Sequence, residues 1–318
     1  MKRILRGCLF AAALASVPLA AAISEYRAFF AGTRLADGTA AIIIRRFTRG
    51  QHTYALLVRP RTLATEIVPL AGLKTAAAPL ADLRREFALS PYDRALATAA
   101  ANSLKLEDAG ITHSLPTERG ISLTIDLCPA KKPLDRSLFN NILAAFGGVE
   151  RPIPLAIAVS GIWMEEHPAD LRWLAGLAQS GRISVDWIDH SYYHQYDPQL
   201  PLRRNFLLEK GVDLNAEVLL TEQKMIACGL TPSVFFRFPG LVSDQAEIMR
   251  ILALGLIPVG SDAWLAKKQE PGPGSIVLIH GNGNEPLGIK EFLALVGREQ
   301  RAIKEKNWLL FDLRDGLE

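Results

Sequence analysis

The chain has 318 residues, 49% of them hydrophobic, with 36 lysines and arginines against 33 aspartates and glutamates. That length and apolar content suffice for one large domain, or for a small domain followed by one of about 200 residues. The surplus positive charge lies wholly in Lys2, Arg3 and Arg6, so the rest is balanced and offers no basic face for nucleic acid.

In chain order, the basic start is followed by an apolar run from Gly7 to Leu19 and by Ala20-Ala21-Ala22. This is the pattern of a secretory signal peptide with an A-x-A cleavage site, expected to be removed as residues 1–22. The run is short for a membrane span of about 20 residues, and no later run approaches that length. The expected location is periplasmic or secreted, with no stable membrane span after cleavage. Only Cys128 and Cys228 then remain, and the expectation is open between one disulfide and two free thiols.

Residues 23–118 are expected to form a small N-terminal α+β element. "TAAIIIRRFTRGQHTYALLVRP" and "ATEIVPLAG" hold short β-branched runs separated by an Arg-Gly-Gln turn, which predicts an antiparallel meander. "PLADLRREFALSPYDRALATAAANSLKLED" has helical spacing. His52 and His113 are isolated and read as surface or hydrogen-bonded residues. "THSLPTERG", ending at Gly120, reads as a linker.

From Ile121 the periodicity alternates. "ISLTIDL", "PLAIAVSG", "RISVDWID", "SVFFRFPG", "LIPVGSD", "GSIVLIHG" and "WLLFDL" read as strands, separated mostly by helical patterns with short connections. About seven such alternations require parallel strands with covering helices, and residues 119–318 are expected to form a distorted (β/α)7 barrel. The ionisable residues collect at strand ends. Asp126 closes the first strand, and Asp189, His190 and His194 follow the third. Arg237 closes the fourth, Asp262 the fifth and His280 the sixth. Each alone has an ordinary reading as a cap, an ion-pair partner or a loop residue. Together they are expected at the one face where barrel active sites sit.

"HSYYH" sets two imidazoles four residues apart, a spacing suited to two ligands of one metal ion. A bound ion lowers the pKa of water toward about 7. Asp126 is then expected as general base, held ionised by Arg237, and His280 as general acid, oriented by Asp262. The set suits metal-assisted hydrolysis of an ester or amide.

These residues, in this order, resemble the polysaccharide deacetylase family, the fourth family of carbohydrate esterases, over roughly residues 119–312. The "HSYYH" segment is similar to the family's H-S/T-x-x-H motif, "RFPG" to R-x-P, Asp262 and Trp264 of "SDAW" to its fourth motif, and "VLIH" to L-x-H. The resemblance implies metal-dependent removal of N- or O-linked acetyl groups from a polysaccharide or oligosaccharide. By matching position, Asp126 is the base, Arg237 its tether, His190 and His194 metal ligands, and His280 the acid with Asp262 behind it. Trp264 and Leu278 are expected to contact substrate, Leu278 by lining the acetyl pocket. Where the family has T-F-D-D-G-P, this chain has T-I-D-L-C-P. Leu127 stands for the metal-binding acid and Cys128 for the glycine. The third ligand is therefore open among Asp126, Asp189 and Cys128, with Asp126 expected and Zn²⁺ favoured by the imidazoles. A carboxylate at position 127 is expected to tighten metal binding. The alternative is a catalytically degenerate carbohydrate-binding or assembly protein on the same barrel.

Overall fold

The computed structural model describes residues 22–317; the expected signal peptide, but for its last residue, lies outside the described residues. The chain opens with an antiparallel sheet of β1 (Ile23–Arg34), β2 (Ala40–Arg49), β3 (His52–Val58), β4 (Thr65–Pro69) and β5 (Thr75–Ala77), in the order β4-β3-β2-β1-β5. Gly50, at φ 61°, supplies the left-handed turn between β2 and β3. Two helices follow, α1 (Leu80–Glu86) and α2 (Pro91–Ala101). Ser90 caps α2 by accepting a hydrogen bond from the Asp93 amide, and Pro91 occupies the first turn, where no amide donor is needed.

The second part alternates strand and helix: β6 (Gly120–Leu127), α3 (Arg136–Phe146), β7 (Ile153–Val159), α4 (Gly161–Glu166), α5 (Pro168–Gln179), β8 (Ile183–Asp189), α6 (Leu214–Ala227), β9 (Pro232–Phe236), α7 (Gln245–Ala253), β10 (Ile257–Pro258), β11 (Ala263–Trp264), β12 (Ile276–His280), α8 (Pro286–Lys304) and β13 (Leu309–Leu310). The strands run parallel in the order β10-β9-β8-β7-β6-β12-β11, with β13 beside the start of β6. This is a curled, incompletely closed (β/α)7 barrel. Two strands differ from the sequence reading: "LIPVGSD" holds only the two-residue β10, after which the chain starts an additional short strand, β11, and "WLLFDL" holds only the two-residue β13.

Strand pleating assigns the faces. On β6, Leu123, Ile125 and Leu127 point to the helix layer and pack with Leu138, Phe139 and Phe292. Ser122, Thr124 and Asp126 alternate with them and point the other way. The barrel interior is apolar near β7 and β9, where Ala156, Ala158, Val234 and Phe236 join one cluster with Ile42, Ile44, Leu56 and Val58 of the N-terminal sheet. The N-terminal element therefore has its own sheet but shares a core with the barrel. Arg45, fully buried, is bound bidentate by Glu222 of α6 at 2.6 and 2.9 Å and also donates to the Leu254 carbonyl oxygen.

The start of the stretch read as a linker, together with the two residues before it, is part of the wall. Ile111 bridges in parallel to Val259 just after β10, and His113 bridges antiparallel to Ser275 just before β12. The Ile111 amide donates to the Pro258 carbonyl oxygen at 3.0 Å, and the Gly260 amide returns a bond to the Ile111 carbonyl oxygen at 2.8 Å. Gly110 makes this approach sterically allowed. Its φ is +88°, and a Cβ there would fall 2.4 Å from the Pro258 carbonyl oxygen.

Candidate active site

Four strands deliver their ends to one place. Parallel pairing sets His280 of β12 beside Asp126 of β6. Arg237 follows β9 and reaches across the interior, fully buried. Its Nη1 donates to Asp126 Oδ1 at 3.0 Å and to Thr124 Oγ1 at 2.6 Å, its Nη2 to the Gly260 carbonyl oxygen at 2.9 Å, and its Nε to that of Val259 at 3.3 Å. Burial opposes ionisation of Asp126, but the charges of Arg237, His190 and His280 outweigh it and hold the carboxyl below its ordinary pKa.

His190 and His194 flank a tight turn after β8. Ser191 and His194 both adopt positive φ, 63° and 49°. The turn is held by Glu217 of α6, whose Oε2 accepts from the Tyr192 and Tyr193 amides at 2.7 and 2.9 Å. Gly161 leaves room for the Tyr192 ring, since a Cβ there would lie 2.2 Å from it. His190 Nδ1 is 2.8 Å from the Arg237 carbonyl oxygen. A carbonyl only accepts, so the proton sits on Nδ1 and the lone pair on Nε2. That Nε2 lies 3.4 Å from Cys128 Sγ, 3.2 Å from His194 Nε2 and 3.7 Å from Asp126 Oδ2.

Cys128, His190 and His194 each bring a donor atom within 4.8 Å of the others. Among the described residues this is the group of three or more metal-ligating side chains that could hold an ion, and its chemistry suits one. Burial holds His190 below its ordinary pKa, against the pull of Asp126, and so favours the neutral imidazole that ligates. Burial raises the Cys128 thiol, but His194 and His280 overcome it and bring it down to about 7, toward the thiolate. Two imidazoles and a thiolate are a zinc-type donor set. Asp126, expected as the third ligand, is outside this set: Arg237 binds its Oδ1, and its Oδ2 stands 3.7 Å from His190 Nε2. Asp189 does not supply a ligand either: its Oδ1 accepts from the Ser191 amide at 2.9 Å. Burial and the nearby Glu222 push its carboxyl well up. Cys128 is free and buried and Cys228 free and exposed, so no disulfide joins them.

Asp262 requires a correction. It does not close a strand at the mouth; it precedes β11 and lies level with Ile276, whose amide it accepts at 3.0 Å. That is four residues before His280, roughly 13 Å along the strand. Asp262 pairs instead with His113 Nδ1, at 2.7 Å. The carboxylate beside His280 is Glu285, whose Oε2 lies 2.8 Å from His280 Nδ1, an ion-pair contact out of line for an ideal hydrogen bond. Trp264 Nε1 donates to the same oxygen at 2.7 Å. Glu285 was not found in the sequence, where nothing marks a glutamate five residues beyond the histidine. Trp264, Leu278 and Leu241 form a small apolar cluster. A cleft of about 700 Å³ exposes Cys128, His194, Trp264, His280 and Glu285, with Tyr196 and Phe206 at its rim.

Leu127 also changes its expected meaning. Its side chain is in the helix-facing core, so an acid there would face apolar side chains rather than the donor set. Leu127→Asp is expected to destabilise the fold, by about 2–5 kcal/mol from lost leucine packing alone, with carboxylate desolvation in addition. Denaturant unfolding beside a metal titration checks this; unchanged stability with tighter metal binding would place the side chain in the site after all.

No protein-family model matches the chain. Among solved structures, the chain is similar to a family 4 carbohydrate esterase from Bacillus anthracis, at 16% identity over 70% of this chain and 90% of that one, with a TM-score of 0.48. It is similar to a family 4 carbohydrate esterase from Bacillus subtilis, at 13% identity over 68% and 94%, TM-score 0.47. It is also similar to a pseudoenzyme of the same family from Bacillus anthracis, at 17% identity over 67% and 70%, TM-score 0.44.

Proposed function

We propose that the protein is a metal-dependent hydrolase that removes N- or O-linked acetyl groups from an extracytoplasmic polysaccharide or oligosaccharide. The observation that carries this reading is the donor set Cys128, His190 and His194 beside the Arg237-bound carboxylate of Asp126, with Cys128, His194 and His280 opening onto one cleft. A divalent cation held by those three donors, Zn²⁺ by their softness, would polarise the acetyl carbonyl and ease deprotonation of water. Asp126 is ionised and accepts the proton of the attacking water. Arg237 keeps it ionised and fixes its orientation. His280 donates a proton to the departing nitrogen or oxygen. Trp264 and Leu278 supply apolar contact for the acetyl methyl group.

The test is the metal content of protein purified without chelator, followed by titration of wild type and Cys128→Ala. Wild type is expected to carry zinc and to release acetate from acetylated sugars. Cys128→Ala is expected to lose more than the about 10–100-fold in affinity that removal of an outer-shell partner costs. Equal affinity of the two proteins would remove Cys128 from the donor set.

A second reading is a carbohydrate-binding protein without turnover. It is favoured by the rim of the cleft, where exposed Tyr196 stacks on Phe206 with centroids 5.0 Å apart, a flat apolar surface suited to a sugar face. Glycan retention without zinc and without acetate release would select it.

A further inference from the structure

A histidine that donates a proton to a poor leaving group needs its ring held in one orientation and its charged form stabilised. Both follow when a carboxylate sits at the ring nitrogen remote from the substrate. The geometry around His280 supplies such a carboxylate from an unexpected place. Glu285 Oε2 lies 2.8 Å from His280 Nδ1, close but out of line for an ideal hydrogen bond, which leaves Nε2 as the nitrogen to serve the cleft, where Cys128 neighbours the ring. The same oxygen accepts from Trp264 Nε1 at 2.7 Å, which fixes the Glu285 rotamer. Glu285 is the N-cap residue of α8, with Pro286 beginning the helix, so its backbone is anchored. The loop between the two residues is tied down by buried Asn282, whose Nδ2 donates to the Cys128 carbonyl oxygen at 2.6 Å. Asp262 has no such access, since His113, Ser275 and the Ile276 amide take its oxygens.

We propose that Glu285 is the positioning residue of His280, a carboxylate–imidazole pair built from the loop after β12 instead of from Asp262. The assignment rests on His280 being the proton donor of the hydrolysis proposed above. It makes a distinction that a merely structural role would not. Loss of the pair should slow substrates whose leaving group must be protonated and spare those whose leaving group departs as a stable anion.

The experiment compares zinc-loaded wild type, Glu285→Gln, Glu285→Asp and Asp262→Asn on an N-acetylated chito-oligosaccharide and on p-nitrophenyl acetate. Glu285→Gln is expected to lower kcat on the oligosaccharide by about 10²-fold or more, with KM little changed and the nitrophenyl ester nearly unaffected. Glu285→Asp should recover part of the loss, and Asp262→Asn should keep the wild-type ratio between the two substrates. A second readout needs no turnover. In ¹⁵N-histidine-labelled protein, the His280 Nδ1 proton should be downfield and slow to exchange, and lost in Glu285→Gln. Equal losses on both substrates, or no loss on either, overturn the proposal. Persistence of that proton resonance in Glu285→Gln also overturns it. Wild type that hydrolyses neither substrate while its Nδ1 proton still depends on Glu285 refutes the hydrolase reading and leaves the pairing established.

Discussion

Asp126→Asn is expected to lower kcat by about 10²–10⁴-fold, the usual contribution of a positioned general base. The substitution keeps the shape of the side chain and an oxygen for Arg237 Nη1, now 3.0 Å from Oδ1, but removes the charge that accepts the proton. It also leaves the Arg237 guanidinium buried without a counter-charge, with only neutral acceptors, the new amide oxygen, Thr124 and two carbonyl oxygens. Some stability is therefore lost as well. The decisive measurement is turnover of acetylated sugar at a temperature where circular dichroism shows the variant folded. Near-normal turnover there would exclude Asp126 as the base.

Arg45→Met is expected to cost about 3–5 kcal/mol of stability, the penalty for leaving one member of a buried ion pair alone. Glu222 would remain fully buried. Its remaining side-chain partner would be the Tyr26 hydroxyl at 3.1 Å. Arg45→Met combined with Glu222→Leu should recover most of the loss, because two apolar side chains of similar volume carry no desolvation penalty. Denaturant unfolding of both single variants and the double variant checks this. Additive losses in the double variant would show that packing, not charge, holds the N-terminal sheet to the barrel.

The barrel was legible because long alternating segments carry strong periodicity: β6, β7 and β8 and the helices between them have one consistent apolar face each. The convergence of Asp126, His190, Arg237 and His280 was legible because each stands at the C-terminal end of a strand in a parallel set. What was not legible depends on direction and length. A motif aligned by order assigns position 127 to the metal, yet a strand turns alternate side chains to opposite faces, so Asp126 and Leu127 cannot both face inward while β6 continues. Cys128, just past the strand, returns to the site. Asp262 was misplaced because β10 has only two residues, too few for any period to mark where it stops. The segment around Ile111 has no apolar alternation, and its part in the wall is made by backbone hydrogen bonds that no side-chain pattern announces.

That segment has a consequence for how the molecule is put together. Residues near Gly110 precede every barrel strand in the chain, yet they lie across the opening between β10 and β12. The barrel is thus clasped by its own leading end. Until that end docks, the strands on either side present unpaired backbone edges of the kind that recruit foreign strands. Once docked, it makes the small sheet and the barrel a single unit of assembly, with the clasp's fit set at one end by Gly110 and at the other by Gly274, neither of which admits a side chain.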